Sequence, residues 1–355
     1  MTAIVKYVDT AATGTDSGDD WTNAYPAKSN LGTYLGTKDL VTDTDTLTVY
    51  FRGGADASTL NGASARNIQS NATYWCKFVM DGTNGSDETT STALDTAKYH
   101  SVTSTSNGFY VGTGYLEIHG LQFLCTGTTN SRYGIFTSVT ELVVDRCILK
   151  STNTSTTGNN AFTLGGAGTT TITNCIMSGF LTTGISGFST ATDPNLLAFN
   201  NTIVACGTGV STGFQNADVT NCLFVSNTAN FSGTFYGTGG ATDYNGYEDG
   251  TDAAPGGGTN TNNVADTAVA LENEGSEDFR LAAGDTAFHA AGIGTTNSNV
   301  PATDFFGVAR GSSTCSIGAC EYVAAATGRS MGSLAGAGGL AGPSGLAGTG
   351  GGIAG

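Results

Sequence analysis

Five short segments decide the fold: "IHGLQF" (118–123), "VDRCIL" (144–149), "ITNCIM" (172–177), "FNNTIV" (199–204) and "VTNCLF" (219–224), whose starts lie 26, 28, 27 and 20 residues apart. A second series accompanies them: "GFYVG" (108–112), "GIFTS" (134–138), "AFTLG" (161–165), "GISGF" (184–188) and "GVSTG" (209–213). Each repeat therefore supplies at least two short strands separated by turns. A period in the twenties, built from β-favouring residues with no helical segment, predicts a solenoid whose coils pair with the coils above and below. Coils so paired stack about 4.8 Å apart, and equivalent residues pile into ladders. Ile118, Val144, Ile172, Phe199 and Val219 are expected to face inward, as are Leu121, Cys147, Cys175, Thr202 and Cys222. Between them Asn174, Asn201 and Asn221 are expected to share one bend, where asparagine tolerates left-handed dihedrals and hydrogen-bonds along the stack. Gly120 suits that bend and Arg146 does not.

Composition agrees. Only 12% of the 355 residues are charged, against roughly 25% in ordinary globular chains. The 53 glycines sit among long Thr, Ser and Asn stretches, a mixture that favours short strands and tight turns. The net charge of -16 excludes a phosphate-backbone partner, which needs clustered Lys and Arg, so neither nucleic acid nor an anionic membrane is expected to bind. The start, "MTAIVKYVDTAATG" (1–14), lacks the apolar run of a signal peptide. No stretch is long enough to span a bilayer. Folding in a cytoplasm, with the eight cysteines reduced, follows as the expectation.

The repeats resemble the right-handed parallel β-helix, the pectate-lyase-like fold, and two end segments carry the same resemblance. "KYVDTAATGTDSGDDWTNAYPAKSNLGTYLG" (6–36) is similar to the entry segment of bacterial and viral β-helix proteins: a strand, a Gly/Asp turn, a Trp-containing patch and a short capping helix. "DFRLAAGDTAFHAAG" (278–292) and "DFFGVARGSSTCSIGACEY" (304–322) are similar to their closing segment, with Ser316 where an Asp is usual and Cys320 where an aromatic is common. The resemblance spans Lys6 to Tyr322 and implies an all-β parallel solenoid. The organisation read from the chain is an entry and cap (1–46), coils (47–238), a loop-rich closing segment (239–323) and a Gly/Ala/Leu-rich tail (324–355).

Enzymes of the resembled family act on acidic polysaccharides, with stacked acids that hold calcium or work in pairs, and with an Arg or Lys base. The repeats supply few acids. Asp145, with His119 read at its matching position in the coil before and Thr173, Asn200 and Thr220 in the coils after, is a lone outward acid and, with Arg146, the best catalytic candidate; a solvated residue is the plainer reading. His100, His119 and His289 are scattered, and His119 reads as a solvated surface histidine. Cys147, Cys175 and Cys222 read as small inward residues rather than a metal or redox cluster. Cys315 and Cys320 lack companions for zinc. "DYNGYEDGTD" (243–252) offers oxygens for calcium but not the spacing of an EF-hand loop. Trp21, Tyr74, Trp75, Tyr236, Tyr244 and Tyr247 are candidates for stacking on sugar rings or for core positions. No motif asks for a cofactor or a metal.

The tail repeats Leu334, Leu340 and Leu346 at six-residue intervals and ends with Ile353. In a three-residue-per-turn helix the three leucines share one edge, which a bundle of such tails or a neighbouring groove would bury. The expectation is therefore a non-catalytic bacteriophage virion protein: a capsid decoration protein, head spike or tail spike. It would form a homotrimer made in the host cytoplasm and contact capsid or tail proteins. A polysaccharide lyase or hydrolase (depolymerase), or an adhesin that holds surface glycan, is the alternative.

Overall fold

The computed structural model describes residues 1–58, 60, 69–80, 92–103, 108–112, 114–128, 132–137, 141–165, 168–187, 194–211, 213–233, 242–248, 262–266 and 269–323. Three stacks of parallel strands follow the repeats. The first sheet has nine strands: Thr2–Asp9, Asp45–Arg52, Cys76–Met80, Tyr115–His119, Glu141–Asp145, Thr169–Thr173, Asn195–Phe199, Asn216–Thr220 and Thr242–Asp243. The second also has nine, among them His100–Thr103, Gln122–Cys125, Ile148–Ser151, Ile176–Ser178, Thr202–Val204 and Leu223–Val225. The third has six: Phe109–Val111, Arg132–Thr137, Asn159–Leu164, Thr183–Gly187, Thr208–Ser211 and Ala229–Ser232. Each strand pairs with its counterpart one coil away, which makes the fold an all-β parallel β-helix. Met1–Tyr322 clusters as one unit, and its interior is a continuous column of buried apolar side chains from Val8 to Tyr247.

The inward ladder starts as expected, with Val144 opposite Ile118 and Ile172. It then departs by one residue. Ile172 pairs with Ala198 and Ala198 with Val219, so Phe199 is not in this ladder; it lies opposite Thr173 and Thr220 and points outward. The shift carries forward. Asn200, not Asn201, occupies the bend with Asn174 and Asn221, at φ of 55°, 51° and 57°, and Gly120 (69°) and Arg146 (54°) share that left-handed conformation. Asn201, not Thr202, then takes the inward place beside Cys147, Cys175 and Cys222.

That inward asparagine replaces lost ladder contacts with its own. Asn201 Oδ1 accepts from Cys175 N (2.9 Å) while its Nδ2 donates to Ile172 O (2.8 Å). Asn245 repeats the pattern two coils along, towards Cys222 N (2.9 Å) and Val219 O (2.7 Å). All eight cysteines are free and buried, as the sequence suggests, and burial pushes the Cys206 and Cys222 thiols up to about 12. The second repeat series places Gly108, Gly134, Gly184 and Gly209 where the cross-section is narrow. A Cβ on Gly134 would lie 2.8 Å from Ala161 O and 2.9 Å from Leu149 Cδ2.

The closing segment, 269–323, is laid along the outside of the second sheet. Ile148, Ile176, Val204, Leu223 and Val225 turn outward from that sheet and are buried against Phe279, Leu281, Phe288, Phe305 and Ile317. A strand with both faces buried reads as an unbroken apolar run, which is why "CLFV" and "TIVA" lack the alternation of a half-exposed strand. Phe199 belongs to the same covering. It packs against Val300 and Cys315, so its outward turn buries it fully. The asparagine bend serves as a rail for this segment more than as a ladder along the stack. Asn221 exchanges bonds with Ile293 (Oδ1 from N, 2.9 Å; Nδ2 to O, 2.8 Å), and Asn174 Nδ2 donates to Thr303 O (3.1 Å). Arg310, with a fully buried side chain, donates to Asn174 Oδ1 (2.9 Å), Ala319 O (3.0 Å) and Glu321 Oε2 (2.9 Å).

At the other end the entry strand Thr2–Asp9 pairs with Asp45–Arg52, and the helix Lys28–Leu35 buries Leu31 and Leu35 in the core. Lys28 is enclosed there; its Nζ donates to Asp56 O (2.7 Å) and lies 3.5 Å from Asp56 Oδ1. Burial lowers the Lys28 ammonium to about 8, although Asp56 pulls the other way.

Candidate functional site

The first sheet keeps an outward face, and its register brings chemistry-bearing residues of three coils together. Strand Tyr115–His119 alternates, so Leu116 and Ile118 are buried while Tyr115, Glu117 and His119 turn out. Lys77 stands opposite Glu117 on the preceding coil and Asp145 stands opposite His119 on the following one. The column two residues on therefore runs His119, Asp145, Thr173, Phe199, Thr220. Phe199 takes the place that the sequence alone gives to Asn200.

These groups satisfy one another. Glu117 receives the Tyr115 hydroxyl at Oε1 (2.9 Å), with Lys77 Nζ at 3.2 Å and His119 Nε2 at 3.1 Å from Oε2. His119 Nδ1 lies 3.8 Å from Asp145 Oδ2. Asp145 also accepts from Arg146 Nε (2.8 Å), Thr173 Oγ1 (2.9 Å) and Asn174 Nδ2 (3.0 Å). Asn174 in turn reaches the closing segment, so the cluster borders the covered part of the solenoid. Asp145 is neither alone nor freely solvated, and His119, with a side chain only 21% exposed, is not a solvated histidine. Arg146, misplaced by the sequence reading, adopts the left-handed bend and extends back over Asp145 with 43% of its side chain exposed.

Charge follows geometry. The hydrogen bond from His119, with help from Tyr115 and Lys77, holds Glu117 down at about 2 despite burial. Burial works against charge on Asp145, yet His119, Arg146 and Asn174 hold it at about 2 as well. Burial also opposes the imidazolium of His119, and the carboxylates of Asp145 and Glu117 outweigh it, raising the group above its ordinary value. Burial and the bond to Glu117 raise the Tyr115 phenol. Both ring nitrogens of His119 are directed at carboxylates and both carboxylates are firmly ionised. The arrangement holds charges in place across coils rather than leaving a base or acid free.

The other candidates disperse. Asp218, further along the face, is raised by burial and by Asp243, against the bond from Thr220 Oγ1. Asp243 is tied to Asn262 N and Nδ2, both at 2.9 Å, and the acidic loop beyond Glu248 lies outside the described residues. Among the described residues no group of three or more His, Cys, Asp or Glu is placed to hold a metal ion. Trp21 packs at a tilt against Tyr7 (4.6 Å) beneath Arg52 (4.0 Å), Tyr247 is in the core and Tyr244 sits at the bend, so these described aromatics do not form one groove; Tyr236 lies outside the described residues. Leu334, Leu340, Leu346 and Ile353 also lie outside them. Tyr115, Glu117 and Lys77 escape a reading centred on the five repeats. The signal for the first two is the period-two alternation through "YLEIH" (115–119).

No protein-family model matches the chain, and no curated protein matches it. Among solved structures the crystal structure of pectate lyase Pel9A is similar, at 13% identity over 90% of this chain and 97% of that one, with a TM-score of 0.36. The β-helix assignment rests on the stacked parallel sheets themselves.

Proposed function

We propose that the protein is a non-catalytic structural rod, a bacteriophage virion component that assembles with copies of itself and uses its Gly-rich tail as an assembly element. The observation that carries this reading is how the closing segment is tied along the coils, through Arg310 and the Asn174, Asn200 and Asn221 bend, with Asn200 Nδ2 donating to Ser316 O (3.5 Å). Such lateral stitching stiffens a solenoid whose repeats otherwise touch only their neighbours. The mutually neutralised cluster on the open face fits the same role. Support for the virion setting is the likeness of the entry and closing segments to bacterial and viral β-helix proteins, the acidic composition, and cysteines suited to a reducing compartment.

The test is the mass in solution of the full chain and of a chain ending at Ala326, alongside incubation with acidic and neutral polysaccharides. The reading expects an oligomer that weakens without the tail and no new reducing or unsaturated ends. A monomer in both cases, or turnover that disappears in Asp145→Asn, would overturn it. A second reading, a polysaccharide lyase or hydrolase, is favoured by one observation: Lys77, Glu117, His119, Asp145 and Arg146 gather on one outward face.

A further inference from the structure

The three sheets differ in what their outer faces present. The second is covered by the closing segment. The first carries Lys77, Glu117, His119, Asp145 and Asp218. The six strands of the third contain no carboxylate at all, and Arg132 is their only charged residue. In a chain with 29 acidic residues and a net charge of -16, that is a selective omission.

We propose that the outer face of the third sheet is where a second copy of this chain docks, an inference that rests on the self-assembling reading above and names its surface. Two copies of so acidic a chain repel one another, and carboxylates trapped between them would be desolvated without partners. A contact between copies must therefore form where acids are absent. This face also has the contents of an interface. Phe136 alternates outward from the buried Ile135, and its ring lies 4.8 Å from that of Tyr110 and 5.4 Å from that of Tyr133, all three only partly buried. Aromatic groups of this kind anchor protein contacts. Following Phe136 along the stack, the position becomes Thr163, which is buried, and then the half-buried Ser186 and Ser211 and the exposed Ser232. Short hydroxyl side chains keep the face flat, and each both donates and accepts, so the same surface on a partner is complementary to it.

The test is sedimentation of the full chain across a concentration series, with Phe136→Glu, Ser211→Asp, the neutral Ser211→Asn, and Thr171→Glu on the first sheet, each checked for native circular dichroism. The expected result is an oligomer whose dissociation constant rises tenfold or more in Phe136→Glu and Ser211→Asp and holds in Ser211→Asn and Thr171→Glu. Ser211→Asp keeps the test sound if Phe136→Glu does not fold. An oligomer indifferent to both acidic variants overturns this face while leaving self-assembly standing. A monomeric wild-type chain overturns both, and if it retains a neutral polysaccharide through Phe136 the face belongs to a glycan instead.

Discussion

The early and late coils of the first sheet carry the same outward column with opposite contents. At Tyr115–Arg146 the column is ionised, partly open, and knitted by Glu117, His119 and Asp145. At Asn195–Thr220 it holds Phe199, buried against Val300 and Cys315 of the closing segment. The backbone pairing is the same in both places. What a position in a parallel solenoid tolerates is set by what lies outside it as much as by the ladder within, so an outward site can be a charge or a phenylalanine.

If the covering segment governs the late coils, its lock should matter most. Arg310→Ala strips partners from Glu321 and Asn174 and removes a buried, paired charge, and about 3–5 kcal/mol of stability should be lost in chemical unfolding. Phe199→Ala tests the covered column itself. A buried Phe truncated to Ala costs about 3–5 kcal/mol, and the low end of that range applies if the closing segment settles into the space. The bend sharpens the contrast. Asn221→Gly keeps the left-handed backbone but forfeits both bonds to Ile293, for about 1–3 kcal/mol. Arg146→Gly, at the same bend in the open coils, should change stability by less than about 1 kcal/mol, because relaxing φ offsets the lost surface ion pair.

The smallest effect is a pH dependence. The folded-state pKa of His119 lies above its unfolded value, so its contribution is fully present below the unfolded value and is lost as pH rises through the folded one. The melting temperature of the wild type relative to His119→Gln should therefore be higher at pH 5.5 than at pH 8. Glu117 and Asp145, both held at about 2, contribute the opposite sign: their share is present above the ordinary carboxylate range and is lost as pH falls through it towards 2. A difference that grows as pH rises would contradict the assigned contacts of His119.

Much of this was legible in the sequence because coil stacking turns periodicity into geometry. The solenoid, the inward Ile118, Val144, Ile172 and Val219, the Cys ladder and the left-handed bend at Gly120, Asn174 and Asn221 follow from local pattern, and the entry strand and helix from the resemblance of the entry segment to other β-helix proteins. The register at 198–201 did not. Two consecutive asparagines permit two alignments, and hydrophobicity alone turns Phe199 inward; only a segment a hundred residues later makes the outward choice favourable. The same one-residue error moved Asn201 from the interior to the bend. Stacking Ile118 on Val144 already sets His119 opposite Asp145, but Lys77 lies outside the recognisable repeats and Glu117 is reached only through the alternation of "YLEIH", so the full charged cluster could not be assembled from repeat spacing.

The most direct measurement is amide hydrogen exchange of the wild type and Arg310→Ala. The account predicts that protection falls in the covered strands Thr202–Val204 and Leu223–Val225 and is kept in Tyr115–His119 and Glu141–Asp145. Equal loss in all four strands, or no loss in the covered pair, would contradict the claim that the closing segment secures the late coils.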